Sequence, residues 1–261
     1  MIIGGNLKRF DSFGIIACLF AVVLLAWLYL YDIAVDMEAM LVAMPNMAVQ
    51  AWDASYALMM FLMWSIMMVG MMLPSVTPAV LIYNGIAKKA NREGSSVAPT
   101  WIFTAGYLLM WVLFSVLATA AQWTLDRAAL LSPMMVTTSA TLGASLLIAA
   151  GVYQWLPIKN ACLRHCRSPI EFISTHWQAG KWGALTMGAR HGLYCLGCCW
   201  VLMSLLFLGG VMNLLWIALI TLFVLVEKLL PFGDIGGKLI GLMMIAAGLM
   251  AMAVPDFALI L

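Results

Sequence analysis

The sequence predicts an all-α fold, a polytopic transmembrane helical bundle of about seven spans with its N-terminus in the cytoplasm. Three observations lead there. Hydrophobic residues fill 65% of the 261 positions and charged residues 9%, against roughly 45–50% and about 25% in soluble domains. The apolar residues form continuous runs, not the alternating pattern of a membrane β-barrel. The basic residues fall almost wholly on one side of a seven-span arrangement.

A helix needs about 20 apolar residues to cross ~30 Å of hydrocarbon. The first run to qualify covers about 13–31. It is longer than a signal-peptide core, and bulky Tyr29-Leu30-Tyr31-Asp32 replaces a small-residue cleavage site, so it reads as an anchor. The second covers about 54–73 and has room to continue past Pro74. Pro74 and Pro78 are expected to break or kink it, with Ser75 and Thr77 placed to satisfy freed backbone groups. The third covers about 101–123 and the fourth about 134–156. The fifth, about 188–208, is followed by a short Gly-Gly-Val-Met-Asn turn at 209–213. The sixth covers about 214–230 and the seventh about 238–254. The whole chain, 1–261, reads as a single integral membrane domain.

Lys and Arg concentrate in cytoplasmic loops. Lys8, Arg9, Lys88, Lys89, Arg92, Lys159, Arg164, Arg167, Lys181, Arg190, Lys228 and Lys238 all fall on one side of the seven-span arrangement, and only Arg127 on the other. That other side carries Asp32, Asp36, Glu38, Asp53 and Asp256. The lipid bilayer is the expected partner, and a net charge of +2 gives no reason to expect nucleic acid.

The densest chemistry lies in His191-Gly-Leu-Tyr-Cys195-Leu-Gly-Cys198-Cys199, preceded by Cys162-Leu-Arg-His165-Cys166. Five of the six cysteines and all three histidines fall within 38 positions, 162–199, and two of those histidines, His165 and His191, stand inside the cysteine motifs. On a helix, the 191, 195, 198 and 199 positions share one face. Their length, about 12 Å, takes the row from the interface into the membrane. Cytoplasmic thiols stay reduced, which favours metal binding over disulfides. Thiolates with imidazole select copper(I), zinc or an iron–sulfur cluster. The expected metal ligands are His191, Cys195, Cys198, Cys199, Cys162, Cys166 and His165, with copper(I) ahead of zinc. The bland alternative is that a buried cysteine is only a small apolar residue; Cys18, alone in the first span, fits it. His176, beside Trp177, reads as an interfacial polar residue.

The second span contains Met59, Met63, Met67 and Met71 at strict four-residue spacing, beside a row of Met60, Trp64, Met68 and Met72. Such a thioether column is a candidate path for copper(I), although methionine also fills irregular helix contacts. Met37, Met40, Met44 and Met47, beside Asp36 and Glu38, resemble an outer collecting segment or a short interfacial helix.

Glu227-Lys228 near the end of the sixth span is a functional candidate as an ionisable pair in the membrane. Lys228 is expected to snorkel to the interface with Glu227 as its partner. Gly188-x-x-x-Gly192 and Gly237-x-x-x-Gly241 permit close helix contacts. No phosphate loop, nucleotide-binding glycine pattern or zinc-protease motif is present, so an ATP-driven pump has no support and no catalytic set is assigned.

Several motifs resemble one family as a set. They are Met71-Met-Leu-Pro-Ser75, Tyr153-Gln-Trp-Leu-Pro-Ile-Lys159, Cys162-Leu-Arg-His-Cys-Arg-Ser-Pro169, Gly188-Ala-Arg-His-Gly-Leu-Tyr-Cys-Leu-Gly-Cys-Cys-Trp200, Gly209-Gly-Val-Met-Asn-Leu214 and Glu227-Lys228. The pattern is similar to DUF2182, a family of predicted metal-binding integral membrane proteins of bacteria. The resemblance runs from the second span to the seventh. It implies a helical membrane fold, metal binding and residence in the bacterial inner membrane. The first span and the outer methionines lie outside it.

The favoured function is copper or zinc handling or transport through a Cys/His site at the cytoplasmic face, without enzymatic activity. The alternative is a non-catalytic subunit or assembly factor of a larger membrane metalloenzyme complex, so a membrane protein partner or a homo-oligomer is an expected companion. A membrane oxidoreductase built on Cys198-Cys199 ranks behind both.

Overall fold

The computed structural model describes residues 3–43, 51–94, 97–230 and 233–253. Met44, Met47, Asp256 and the last residue of the seventh expected span lie outside them, as do the side chains of Lys8 and Arg9. The described chain forms helices joined by short connections. They are α1 (Ile3–Ala43), α2 (Ala54–Arg92), α3 (Thr100–Arg127), α4 (Ala140–Tyr153), α5 (Pro157–Arg167), α6 (Pro169–Thr175), α7 (Gly180–Ser204), α8 (Leu206–Gly209), α9 (Leu214–Leu229) and α10 (Gly233–Ala253). The all-α membrane-type bundle is the fold.

The span count differs from seven. Among the described residues, five helices are long and apolar enough to cross a membrane: α1, α2, α3, α7 with α8, and α10. The expected fourth span is divided. Residues 128–139 form an irregular connection, α4 has only 14 residues, and Pro157 opens α5 after a 65° bend. Proline is tolerated in the first turn of a helix and not in its interior, which makes 154–157 a corner. The bent pair raises the count to six. The expected sixth span, α9, has 16 residues, about 24 Å of helix. That is short of a full crossing.

Helix α1 continues through Asp36, Met37 and Met40, so these residues extend the first span and form no separate segment. Helix α2 starts where the Asp53 side chain accepts the Tyr56 backbone N–H at 2.7 Å. It then runs for 39 residues through both prolines without interruption. Pro74 leaves the Gly70 carbonyl without its helical donor, and the Trp27 indole N–H of α1 donates to it at 3.4 Å. Ser75 and Thr77 hydroxyls donate to the carbonyls of Met72 and Leu73.

Close packing follows the glycines. α3 and α7 pack along their lengths. At Gly188 a Cβ would run into the Phe103 carbonyl, and at Gly192 it would lie 2.9 Å from the Tyr107 carbonyl. α4 and α10 form the other tight pair, with Gly241 against Gly151. Small residues let helix backbones approach in this way.

α2 and α3 run antiparallel: Trp64 reaches Gln122, and Tyr83 reaches Ala98. The Thr137 backbone N–H donates to the Phe207 carbonyl at 2.8 Å, placing α8 beside the loop that follows α3. The bundle therefore has an aspartate end, with Asp36, Asp53 and Asp126, and a basic end, with Lys89, Arg92, Arg164 and Arg167.

Candidate metal site

Helix α7 presents His191, Cys195, Cys198 and Cys199 on one face, all buried. The 65° corner carries α5 across this face. Cys162 packs over Gly197, where an added Cβ would fall 2.8 Å from its sulfur. One turn on, the Cys166 thiol interacts with those of both Cys195 and Cys198. The structure thus brings Cys162 and Cys166 to the α7 thiols, from helix α5.

Cys195 is the hub. Its sulfur accepts a hydrogen bond from the Lys228 ammonium at 2.8 Å and lies 3.0 Å from the Tyr107 hydroxyl. Lys228 also donates to Ser75 Oγ at 3.3 Å. The Cys198 and Cys199 thiols turn back to the Cys195 carbonyl, at 3.0 Å each. Among the described residues, no three His, Cys, Asp or Glu side chains stand in a ready-made metal-holding group. A bound ion would need these thiols to rotate away from their own helix.

His191 Nδ1 is buried and has no hydrogen-bond partner. Its ring lies among Phe103, Tyr107 and Phe172, with centroids 5.0–6.2 Å away. A buried polar atom without a partner is rare in a folded protein. His165 is engaged elsewhere. It stacks on Tyr194 at 4.1 Å, bonds the Ala161 carbonyl at 2.9 Å, and lines a surface pocket of about 370 Å³ with Arg164 and Glu171. Cys18 is exposed on α1, so it is not a packing residue of the bundle core.

The thioether column is mostly internal. Met63, Met67 and Met71 are buried, whereas Met59 is exposed at the aspartate end. Tyr107 ties the far end of the column to the thiols, donating to the Met72 carbonyl at 3.2 Å.

The expectation for Glu227 and Lys228 is corrected. Lys228 does not snorkel, and Glu227 is not its partner. Successive residues on a helix point about 100° apart, so the two side chains enter different layers. Lys228 faces α2 and α7. Glu227 pairs with Lys159 of α5 at 2.5 Å, both buried. Lys159 also donates to Gln154. Arg167 binds the Glu227 carbonyl through Nε and Nη2, at 3.0 and 2.6 Å, and Asp234 through Nη1, at 2.5 Å. This polar network clamps the cysteine-bearing α5 to α9 and α10. Lys159, Tyr107 and Ser75 were not singled out as site residues. Lys159 and Ser75 did stand within the family-like motifs, whereas Tyr107 carried no signal.

Fold and site together define a helical bundle of membrane type with a cluster of free thiols packed between α5 and α7. The chain belongs to the PpoB2 family, described as copper chaperone, whose family model matches residues 61–251. The match includes every motif behind the DUF2182 resemblance and excludes α1 and Met59. No curated protein and no solved structure matches the chain. At this level, copper handling is the chain's role.

Proposed function

We propose that this chain is a membrane copper(I) chaperone that holds its cargo between α5 and α7. The ligands are drawn from Cys162, Cys166, Cys195, Cys198, Cys199 and His191, with His165 at the rim. The carrying observation is the meeting of Cys166 with Cys195 and Cys198 beside a buried lysine. Soft thiolates favour copper(I) over hard cations. A copper(I) ion held by two thiolates carries a net negative charge, and burying such an anion is costly unless it is paired. Lys228 supplies the compensating charge. Until copper arrives, Lys228 occupies the Cys195 sulfur.

The family description favours delivery to another protein over transport alone. The Met59, Met63, Met67 and Met71 row is the proposed path of transient contacts. By the one-sided Lys/Arg distribution, the thiol end faces the cytoplasm of a bacterial inner membrane. The test is copper analysis of the purified protein under reducing conditions, before and after Cys195→Ser/Cys198→Ser. Stoichiometric copper lost from the double variant is the expected result. No copper on the unaltered protein at any supplied concentration overturns the proposal.

A further inference from the structure

At the aspartate end, across the bundle from the thiols, a cavity of about 500 Å³ opens between α1, α2 and the loop after α3. Among the described residues lining it, seven of thirteen are methionine. Methionine fills only 22 of the chain's 261 positions, so the wall is strongly enriched in thioethers.

One buried side chain organises the sulfurs. Gln122 of α3 is wholly buried. Its Oε1 accepts the Trp64 indole N–H at 2.8 Å. An indole nitrogen only donates, so the amide orientation is fixed and its NH₂ points the other way. That NH₂ donates to Met60 Sδ at 3.3 Å and to Met135 Sδ at 3.2 Å. Two thioethers from different elements thus converge on a single nitrogen. Each sulfur spends one lone pair on the amide and retains another. Met63, one turn along α2 from Met60, adds a third sulfur to the same wall.

The rim is acidic. Asp36 and Asp126 line the cavity, and Asp126 is held by the Trp52 indole N–H at 3.0 Å. Thioethers are neutral, so a monocation bound to them keeps its charge, and nearby carboxylates stabilise it through the low-dielectric wall. Calcium and magnesium need several oxygen ligands, and thioethers select copper(I) among the first-row metals.

We propose that this cavity is a second copper(I) site, with Met60, Met135 and Met63 as ligands and Gln122 as the positioning residue. The proposal rests on the copper reading above and extends it to the opposite end of the bundle. Met63, Met67 and Met71 then join two sites. Met60 and Met72 lie 12 residues apart on α2, about 18 Å along the helix.

Silver(I), a redox-inert stand-in for copper(I), tests the idea on the full-length protein in detergent. Bound silver is counted after gel filtration, and protection of each methionine from peroxide oxidation is mapped by peptide mass spectrometry. Expected are protection of Met60 and Met135 in the unaltered protein, and the same protection in Cys195→Ser/Cys198→Ser. Met60→Leu/Met135→Leu, which nearly conserves volume, is expected to lose about one silver per chain while the thiol-bound silver remains. Gln122→Leu is expected to weaken the site by roughly 10–100-fold. Silver bound only through the cysteines, with Met60 and Met135 unprotected, overturns this site and leaves the thiol site standing. Protected methionines with unoccupied thiols uphold this site and overturn the other. The footprint needs no methionine variant, so a variant that fails to fold leaves the test intact.

Discussion

Lys228 places its ammonium 2.8 Å from the sulfur of Cys195, and both residues are buried. A lysine so placed fixes the charge that a bound metal complex must carry. Lys228→Met removes the charge and keeps the length. Copper(I) affinity, measured by competition with a chromogenic chelator, is expected to fall roughly 10–100-fold, as for other groups that support metal ligands. Lys228→Arg is expected to retain part of the affinity. Unchanged affinity in Lys228→Met would remove the lysine from the site.

The Lys159–Glu227 pair anchors α5. Removing one partner of a buried ion pair costs about 3–5 kcal/mol, whereas replacing both with apolar residues is often neutral. Glu227→Ala is therefore expected to lower the thermal midpoint in detergent sharply. Lys159→Met/Glu227→Leu should recover most of the loss. A double variant as unstable as the single one would show that the pair contributes more than its charges.

Gly197 makes room for Cys162. A methyl group there would fall 2.8 Å from the Cys162 sulfur, and α5 would have to shift. Gly197→Ala is expected to destabilise by about 1–3 kcal/mol and to weaken copper binding. Cys162→Ala in the same protein should restore the stability but not the binding. Recovered copper affinity in that double variant would mean that Cys162 is no ligand.

Trp27 and Pro74 form a donor–acceptor unit through Gly70. Trp27→Phe leaves that carbonyl without a donor, at a cost of roughly 0.5–1.5 kcal/mol. In Pro74→Ala the helix supplies its own N–H, and Trp27→Phe should then cost little. A double-mutant cycle read by thermal unfolding checks the coupling. Equal costs in both backgrounds would refute it.

Much of this molecule could be read from the chain. The helical membrane class followed from composition. The shared face of His191, Cys195, Cys198 and Cys199 followed from spacing, and all four are buried together. The glycine spacing at 188 and 192 marked a real seam. What composition could not show was where an apolar run turns. The stretch 134–156 looks continuous because hydropathy ignores the corner made by Gln154, Trp155 and Pro157. The direction of Lys228 was equally hidden. A lysine near the end of an apolar run snorkels by default, and only the bundle shows that Cys195 and Ser75 stand in its way. Gln122 and Met135 gave no signal, because their partnership joins the end of α3 to a loop and back to α2.

The backbone contact of Gly188 and Gly192 with α3 makes α7 a fixed jaw. Gly188 and Gly192 meet the Phe103 and Tyr107 carbonyls directly, so the α7 backbone cannot readily swing outward. The moving jaw is α5, eleven residues hung from a corner and latched through Lys159 and Arg167. Handing copper to a partner would then mean unlatching α5, with Cys162 and Cys166 leaving the ion first. Hydrogen exchange should report it, with faster exchange across 157–167 than across 183–199 when copper is withdrawn. Uniform exchange in both segments would give the jaws equal mobility and remove the hinge.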